Sequence, residues 1–134
     1  MVVADGQGVP LASTLASASP AEVKLLEPTL ETMPQSWQAK VRRLILDRGY
    51  DSEPLRERLK SKGIEMICPH RKNRKKPKTQ DGRPLRRYKR RWKVERTFAW
   101  LGNYRRLLVR WERDLVVYQA FFHLACALVV LNRL

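Results

Sequence analysis

Two acidic residues stand where they could hold a metal ion. Asp47 ends the apolar run Leu44-Ile45-Leu46 and is followed at once by Arg48, Gly49 and Tyr50. Glu95 is the one acid between Asp81 and Glu112, and Arg90, Arg91, Lys93 and Arg96 surround it. Tyr88, Arg91 and Glu95 are spaced three and four residues apart, which in a helix puts all three on one face. Hard carboxylate oxygens beside phosphate-binding cations suit phosphoryl transfer with two Mg2+ ions about 4 Å apart. On spacing alone an ordinary alternative stands next to that chemistry: a helix whose lone glutamate pairs with its basic neighbours.

The elements that must position these residues can be traced along the chain. The opening "VVADGQGVPL" is a hairpin signal, with an Asp5-Gly6 turn and a further flexible position at Gly8. Ser19, Pro20 and Glu22 then make a helix start, and Val23, Leu26 and Leu30 fall on one face of that helix. "VRRLILD" is the most strand-like run, continuously apolar at its centre as for a strand covered on both faces. Ser52 caps a helix over "EPLRERLKSKG", with Leu55 and Leu59 inward and Gly63 as its stop, and "IEMIC" is a second strand. Strand, helix, strand predicts a parallel βαβ unit with Asp47 at the carboxyl end of its first strand, where open α/β sheets bind ligands. From Arg71 to Lys93 there are 13 basic residues and one acid, Asp81; the first half is a loop, and the second runs into a helix that bends near Gly102-Asn103. The last apolar stretch, from Asp114 on, contains Gln119 and His123 and is too short for a membrane span, so it predicts a buried core helix.

The 134 residues make one domain at most, and 43% hydrophobic content excludes a disordered chain. The net charge is +15, but residues 1–40 are slightly acidic, so the excess is concentrated after residue 40. Such an asymmetry points to a polyanion, with nucleic acid favoured over a membrane surface. Cys68 and Cys126 are far apart and predict reduced, structural thiols rather than a zinc site or disulfide. His70 and His123 lack ligand spacing and are expected to be structural, as are Asp5 in its turn and Asp51 at the entry to the next helix. Trp92, Phe98, Trp100 and Trp111 are expected chiefly in helix packing, with Tyr88 and Trp92 able to lie against bases or sugar. The amino-terminal residues carry no signal-peptide pattern.

"ILDRGYDS", followed by "RYKRRWKVERTFAWLGNYRRL", resembles the IS5-like group of the IS4/IS5 superfamily of bacterial insertion-sequence DDE transposases. That superfamily places Tyr, two residues, Arg, three residues, Glu, six residues and Lys around its third acid. Tyr88, Arg91 and Glu95 match. Gly102 stands where the lysine belongs, and Arg105 or Arg106 would have to supply that charge. The hairpin and the following helix also resemble the family, so the likeness covers nearly the whole chain.

The resemblance implies an α/β, RNase H-like fold, incomplete because its first strand is absent, with a carboxyl-terminal helical extension. It divides the chain into a hairpin, helix and βαβ unit (1–70), a basic loop (71–87) and helices carrying the glutamate (88–134). It makes Asp47 and Glu95 the second and third ligands of two Mg2+ (or Mn2+) ions, with Arg91 and Tyr88 placing DNA phosphate. The first acid would lie on a strand preceding this chain. Arg71, Lys72, Arg74, Lys75, Lys76, Lys78, Arg86, Arg87, Lys89 and Arg90 would follow the DNA backbone. The implied partners are insertion-sequence ends and target DNA, a transposase part from an upstream frame, and further copies on DNA, in the bacterial cytoplasm at the nucleoid. A chain with two of three acids would bind DNA yet be inactive alone. A non-catalytic DNA-binding remnant and an RNase H-like nuclease are the alternatives.

Overall fold

The structure, a computed structural model, describes residues 1–17, 20–80 and 82–133. Strands β1 (Val2–Ala4) and β2 (Pro10–Ser13) form the expected antiparallel hairpin, with Val3 opposite Ala12. The Asp5 side chain builds the turn by accepting from the backbone N–H groups of Gln7 and Val9 at 2.7 and 2.9 Å. Helix α1 (Glu22–Glu31) follows with Ala21 at its N-cap and no side-chain cap; Ser19, expected in that role, lies outside the described residues. Leu26 and Leu30 face inward as their spacing requires. A short helix α2 (Gln35–Gln38) leads into β3 (Arg43–Ile45).

Asp47 then caps a 3-10 turn over Arg48–Tyr50, and α3 (Glu53–Ser61) begins after Ser52, whose side chain makes no cap bond. Leu55 and Leu59 are fully buried on its inner face, and Gly63 ends it at φ 74°, a conformation glycine adopts without penalty. β4 (Glu65–Ile67) pairs in parallel with β3, Leu44 opposite Met66, completing the βαβ unit. The chain is therefore mixed α/β, with two separate two-stranded sheets. Its main core gathers Leu26, Leu30, Met33, Leu44, Leu55, Leu59, Ile64, Met66 and Cys68.

The loop expected over 71–87 is corrected, because the basic segment becomes helical from Gly82. Helix α4 (Gly82–Arg86) carries Pro84 in its first turn, where a missing N–H is harmless. A 3-10 turn over Arg87–Arg91 passes directly into α5 (Trp92–Leu101), and Gly102 interrupts the run as expected. Asp81, the only acid of that tract, lies outside the described residues.

Helices α6 (Arg105–Leu108) and α7 (Leu115–Leu131) complete the chain, the latter capped by Asp114, which accepts from Val116 N at 2.8 Å. The expected buried core helix is met on one face of α7 only. Phe122, Ala125 and Val129 are its buried residues, meeting Leu101 in a second core, while Val116, Leu124 and Leu131 are exposed. α5, α6 and β2 pack on one side of α7 and leave its other side bare. Among the described residues no helix is long and apolar enough to cross a membrane.

Candidate functional site

Asp47 is fixed through its backbone and through its side chain. The Cys68 thiol donates to the Asp47 carbonyl at 2.9 Å, and Leu46 N–H donates to Ile67 O at 2.9 Å, so β4 holds the end of β3. The carboxylate accepts from Gly49 N at 2.7 Å, closing the 3-10 turn. A Cβ at position 49 would lie 2.9 Å from Asp47 Oδ1, so only glycine leaves the carboxylate where it is. Burial pushes the Cys68 thiol up to about 11, with the nearby Asp51 charge adding to it, which makes it an inert donor rather than a nucleophile. Burial also raises the Tyr50 hydroxyl, with Glu22 and Asp47 carboxylates reinforcing the shift.

Tyr88, Arg91 and Glu95 come together as their spacing predicts. Arg91 Nη2 donates to Glu95 Oε1 at 2.6 Å, and the Arg91 guanidinium lies 6.0 Å from the centre of the Tyr88 ring. Glu95 is 59% exposed, so this pair is a solvated one. The turn carrying Tyr88 and Arg91 packs beside β3, the strand that leads to Asp47. No hydrogen bond or ion pair joins Asp47 to Glu95 among the described residues.

The helix bearing Glu95 is clamped to the hairpin by its other face. Lys93 Nζ donates to Gly6 O, Arg96 Nη2 to Gln7 O, and the buried Thr97 hydroxyl to Gly8 O at 2.6 Å. Gly8 has φ 84°, and a Cβ there would sit 3.0 Å from the Lys93 carbonyl and 3.3 Å from Thr97 Oγ1. Gly8→Ala should therefore cost about 1–3 kcal/mol from backbone conformation and crowding together. Chemical denaturation checks the size, and loss of hydrogen-exchange protection confined to α5 checks the location. A neutral result would show that the clamp does not hold α5. Local spacing gave no warning of this contact, since the partners are 89 residues apart.

The cations expected along the DNA backbone fall into two groups. Arg71 and Arg74 are used inside their own loop. Arg71 Nη2 donates to Gly49 O at 2.9 Å, and Arg74, only 12% exposed, pairs with Glu53 at 2.6 Å and lies 3.7 Å from Asp51. Lys72, Lys75, Lys76, Lys78, Arg86, Arg87, Lys89 and Arg90 are exposed, and no acid among the described residues pairs with them. Near the vacant lysine position, Arg106 is taken by Glu112 and lies over Phe121, while Arg105 is exposed.

Asp51 is the centre of a buried knot that residue spacing did not reveal. Its carboxylate accepts from Arg56 Nη2 at 3.2 Å, His70 Nδ1 at 2.9 Å and Arg71 N at 2.9 Å. Thr79 N–H points at His70 Nε2 from 3.1 Å, so Nε2 is the acceptor and Nδ1 carries the proton. Asp51, Glu53 and His70 lie close enough to surround a cation. Their donor atoms are already engaged by arginines and by each other, so this cluster does not fit a resident metal. It ties the start of the basic loop to the turn after Asp47. Asp47 and Glu95, by contrast, are hard oxygen donors of the type divalent cations take, though two carboxylates are few for a metal pair.

In this α/β chain a carboxylate at a strand end and a Tyr-Arg-Glu helix face lie with a run of cations that, among the described residues, pair with no acid. The chain belongs to the Transposase DDE domain family, whose pattern it matches over residues 1–130. It is 37% identical over 139 residues to the transposase assigned to insertion sequence element IS402 of Burkholderia cepacia. That alignment covers 99% of this chain and 62% of the relative. No solved structure matches the chain.

Proposed function

We propose that the chain is the carboxyl-terminal part of an insertion-sequence DDE transposase with an RNase H-like fold, acting on DNA at element ends and targets. The observation that carries this reading is the run of unpaired cations leading directly into the Tyr88-Arg91-Glu95 face, packed beside the strand that ends at Asp47. Asp47 and Glu95 would hold Mg2+ or Mn2+, together with a further carboxylate supplied from outside these residues. When bound, the metal pair would activate a water molecule or the DNA's own 3′-hydroxyl as nucleophile and stabilise the charge that develops at the phosphodiester. Arg91, free to exchange Glu95 for a phosphate oxygen, orients the DNA backbone with Tyr88 packed against it. The eight unpaired cations follow the backbone on either side, while Arg71 and Arg74 shape the loop that presents them.

The test is a cleavage and strand-transfer assay on a radiolabelled insertion-sequence end with Mg2+ and with Mn2+. The 134 residues alone are expected to bind the DNA and leave it intact. Metal-dependent cleavage that disappears in Asp47→Ala would overturn the incompleteness of the site. Cleavage that persists in that variant would overturn Asp47 as a ligand. A second reading, a DNA-binding remnant without catalysis, draws on the Arg91–Glu95 ion pair, which an ordinary basic helix would also make. Under that reading Glu95→Gln leaves the Mn2+ response unchanged; under the first it weakens Mn2+ binding measured by water-proton relaxation.

A further inference from the structure

We propose that the uncovered face of α7 is the surface through which two copies of this chain pair, their α7 helices antiparallel about a two-fold axis at Leu124. Val117, Phe121, Leu124, Leu128 and Leu131 recur at alternating spacings of four and three residues. That period of 3.5 keeps a single seam turned towards a facing helix. The opposite face, with Phe122, Ala125 and Val129, is already taken by the second core. Leu124 is 56% exposed and Leu131 64%, so the seam lies open to solvent.

The chemistry of the face selects its occupant. Leu115–Leu131 contains no Asp, Glu, Lys or Arg, so neither a phosphate backbone nor a charged segment finds a partner there. What fits is a second apolar helix of the same period, and α7 is itself such a helix. Its seam has an apolar residue seven positions to either side of Leu124 and so reads alike in both directions. An antiparallel copy sets Val117 against Leu131, Phe121 beside Leu128, and Leu124 against its own counterpart, as an isologous contact requires. Each helix terminus then lies beside the oppositely charged end of the other helix dipole. Ala120 and Ala127, exposed beside the seam, leave room for the two axes to approach.

A groove of about 410 Å³ runs between α6 and α7, lined by Tyr104, Phe121, Leu124 and Leu128 among others. It offers the hole that side chains of a facing helix enter. Arg105 and Arg106 also border it. Arg106 is held by Glu112 and lies over the Phe121 ring, so it sets no unpaired charge against the seam. From their fractional exposure, the apolar side chains of α7 present on the order of 600 Å² per copy. A pair then buries about 1,200 Å², the lower end of the range for a stable specific interface. This inference is independent of the metal and DNA assignments.

The test is sedimentation velocity on the full chain, in about 0.5 M NaCl to screen the repulsion between two copies of net charge +15. A monomer–dimer equilibrium with a Kd of about 1–10 μM is expected. Leu124→Glu sets two carboxylates together on the axis, and Leu124→Lys two ammonium groups, so each should raise the Kd about 100-fold or more. Leu124 is exposed in the single chain, so both variants keep the fold, which circular dichroism checks. An equimolar mixture of the two variants should pair about tenfold or more tightly than either alone, because opposite charges then meet on the axis. A parental chain still monomeric at about 100 μM, well above the expected Kd, would overturn the proposal and leave the face to a different polypeptide. Association that persists in Leu124→Glu would place the contact elsewhere and overturn it too. A mixture no tighter than its components would overturn the two-fold register. The assay contains neither DNA nor metal, so its failure is separable from failure of the proposed function.

Discussion

Replacing Asp51 with alanine is expected to destabilise the fold by about 3–5 kcal/mol, because it removes the acid from a buried charge cluster and leaves its partners behind. The Asp51 side chain is 3% exposed, and its partners Arg56, His70 and Arg74 are 14%, 8% and 12% exposed. Without the carboxylate, two guanidinium groups remain desolvated with too few acceptors, and the Arg71 N–H loses its partner. The melting temperature should fall by roughly 10–20 °C for a chain of this size. Glu65→Gln is the control: its pair with Arg43 is about half exposed on both sides and is worth at most about 1 kcal/mol. A loss under about 1 kcal/mol in Asp51→Ala would show that the knot does not hold the loop.

The same cluster sets an acid limit. Burial alone would raise the Asp51 pKa, but the bonds from Arg71 N–H, His70 and Arg56 outweigh it and hold the carboxyl below its ordinary value of 3.8. A depressed carboxyl pKa means that its contribution is complete above that ordinary value. It is lost as pH falls through the lower folded-state value. Unfolding followed from pH 6 down to pH 2 should therefore steepen below about pH 4, and Asp51→Asn should flatten that part of the curve.

Salt should act on DNA binding with comparable force. If the eight unpaired cations each neutralise a phosphate, log K falls against log salt with a slope of about −7. Raising salt from about 50 to 200 mM then weakens binding by about 10⁴-fold. Replacing Lys72, Lys75, Lys76 and Lys78 together with alanine should reduce the slope to about −4 and the salt effect to about 10²-fold. These lysines are exposed and pair with no acid among the described residues, so the fold should be unaffected, which circular dichroism checks. Anisotropy titrations of a labelled duplex give the slopes. A quadruple variant with the parental slope would place the DNA elsewhere, and a parental slope near zero would remove the backbone-tracking role altogether.

Much of the local structure was legible in residue order. The alternation between Leu55, Leu59 and Gly63 specified α3, the apolar run before Asp47 specified β3, and their succession specified a parallel pair. The three-and-four spacing of Tyr88, Arg91 and Glu95 was enough to bring them together, because one helical segment supplies all the geometry that contact needs. The ends of α4 and α7 were less legible. Pro84 reads as a breaker in sequence and as a first-turn residue in the helix, and an apolar run cannot say how much of itself will be covered.

What residue order determined about this protein, then, is its periodic elements, its concentration of charge and the helix face that carries Glu95, all consequences of neighbours within a few positions. What only the tertiary structure decided is which polar groups are used up. His70 reaches Asp51 across 19 residues and Thr97 reaches Gly8 across 89, so Arg71 and Arg74 serve the fold while their neighbours stay free.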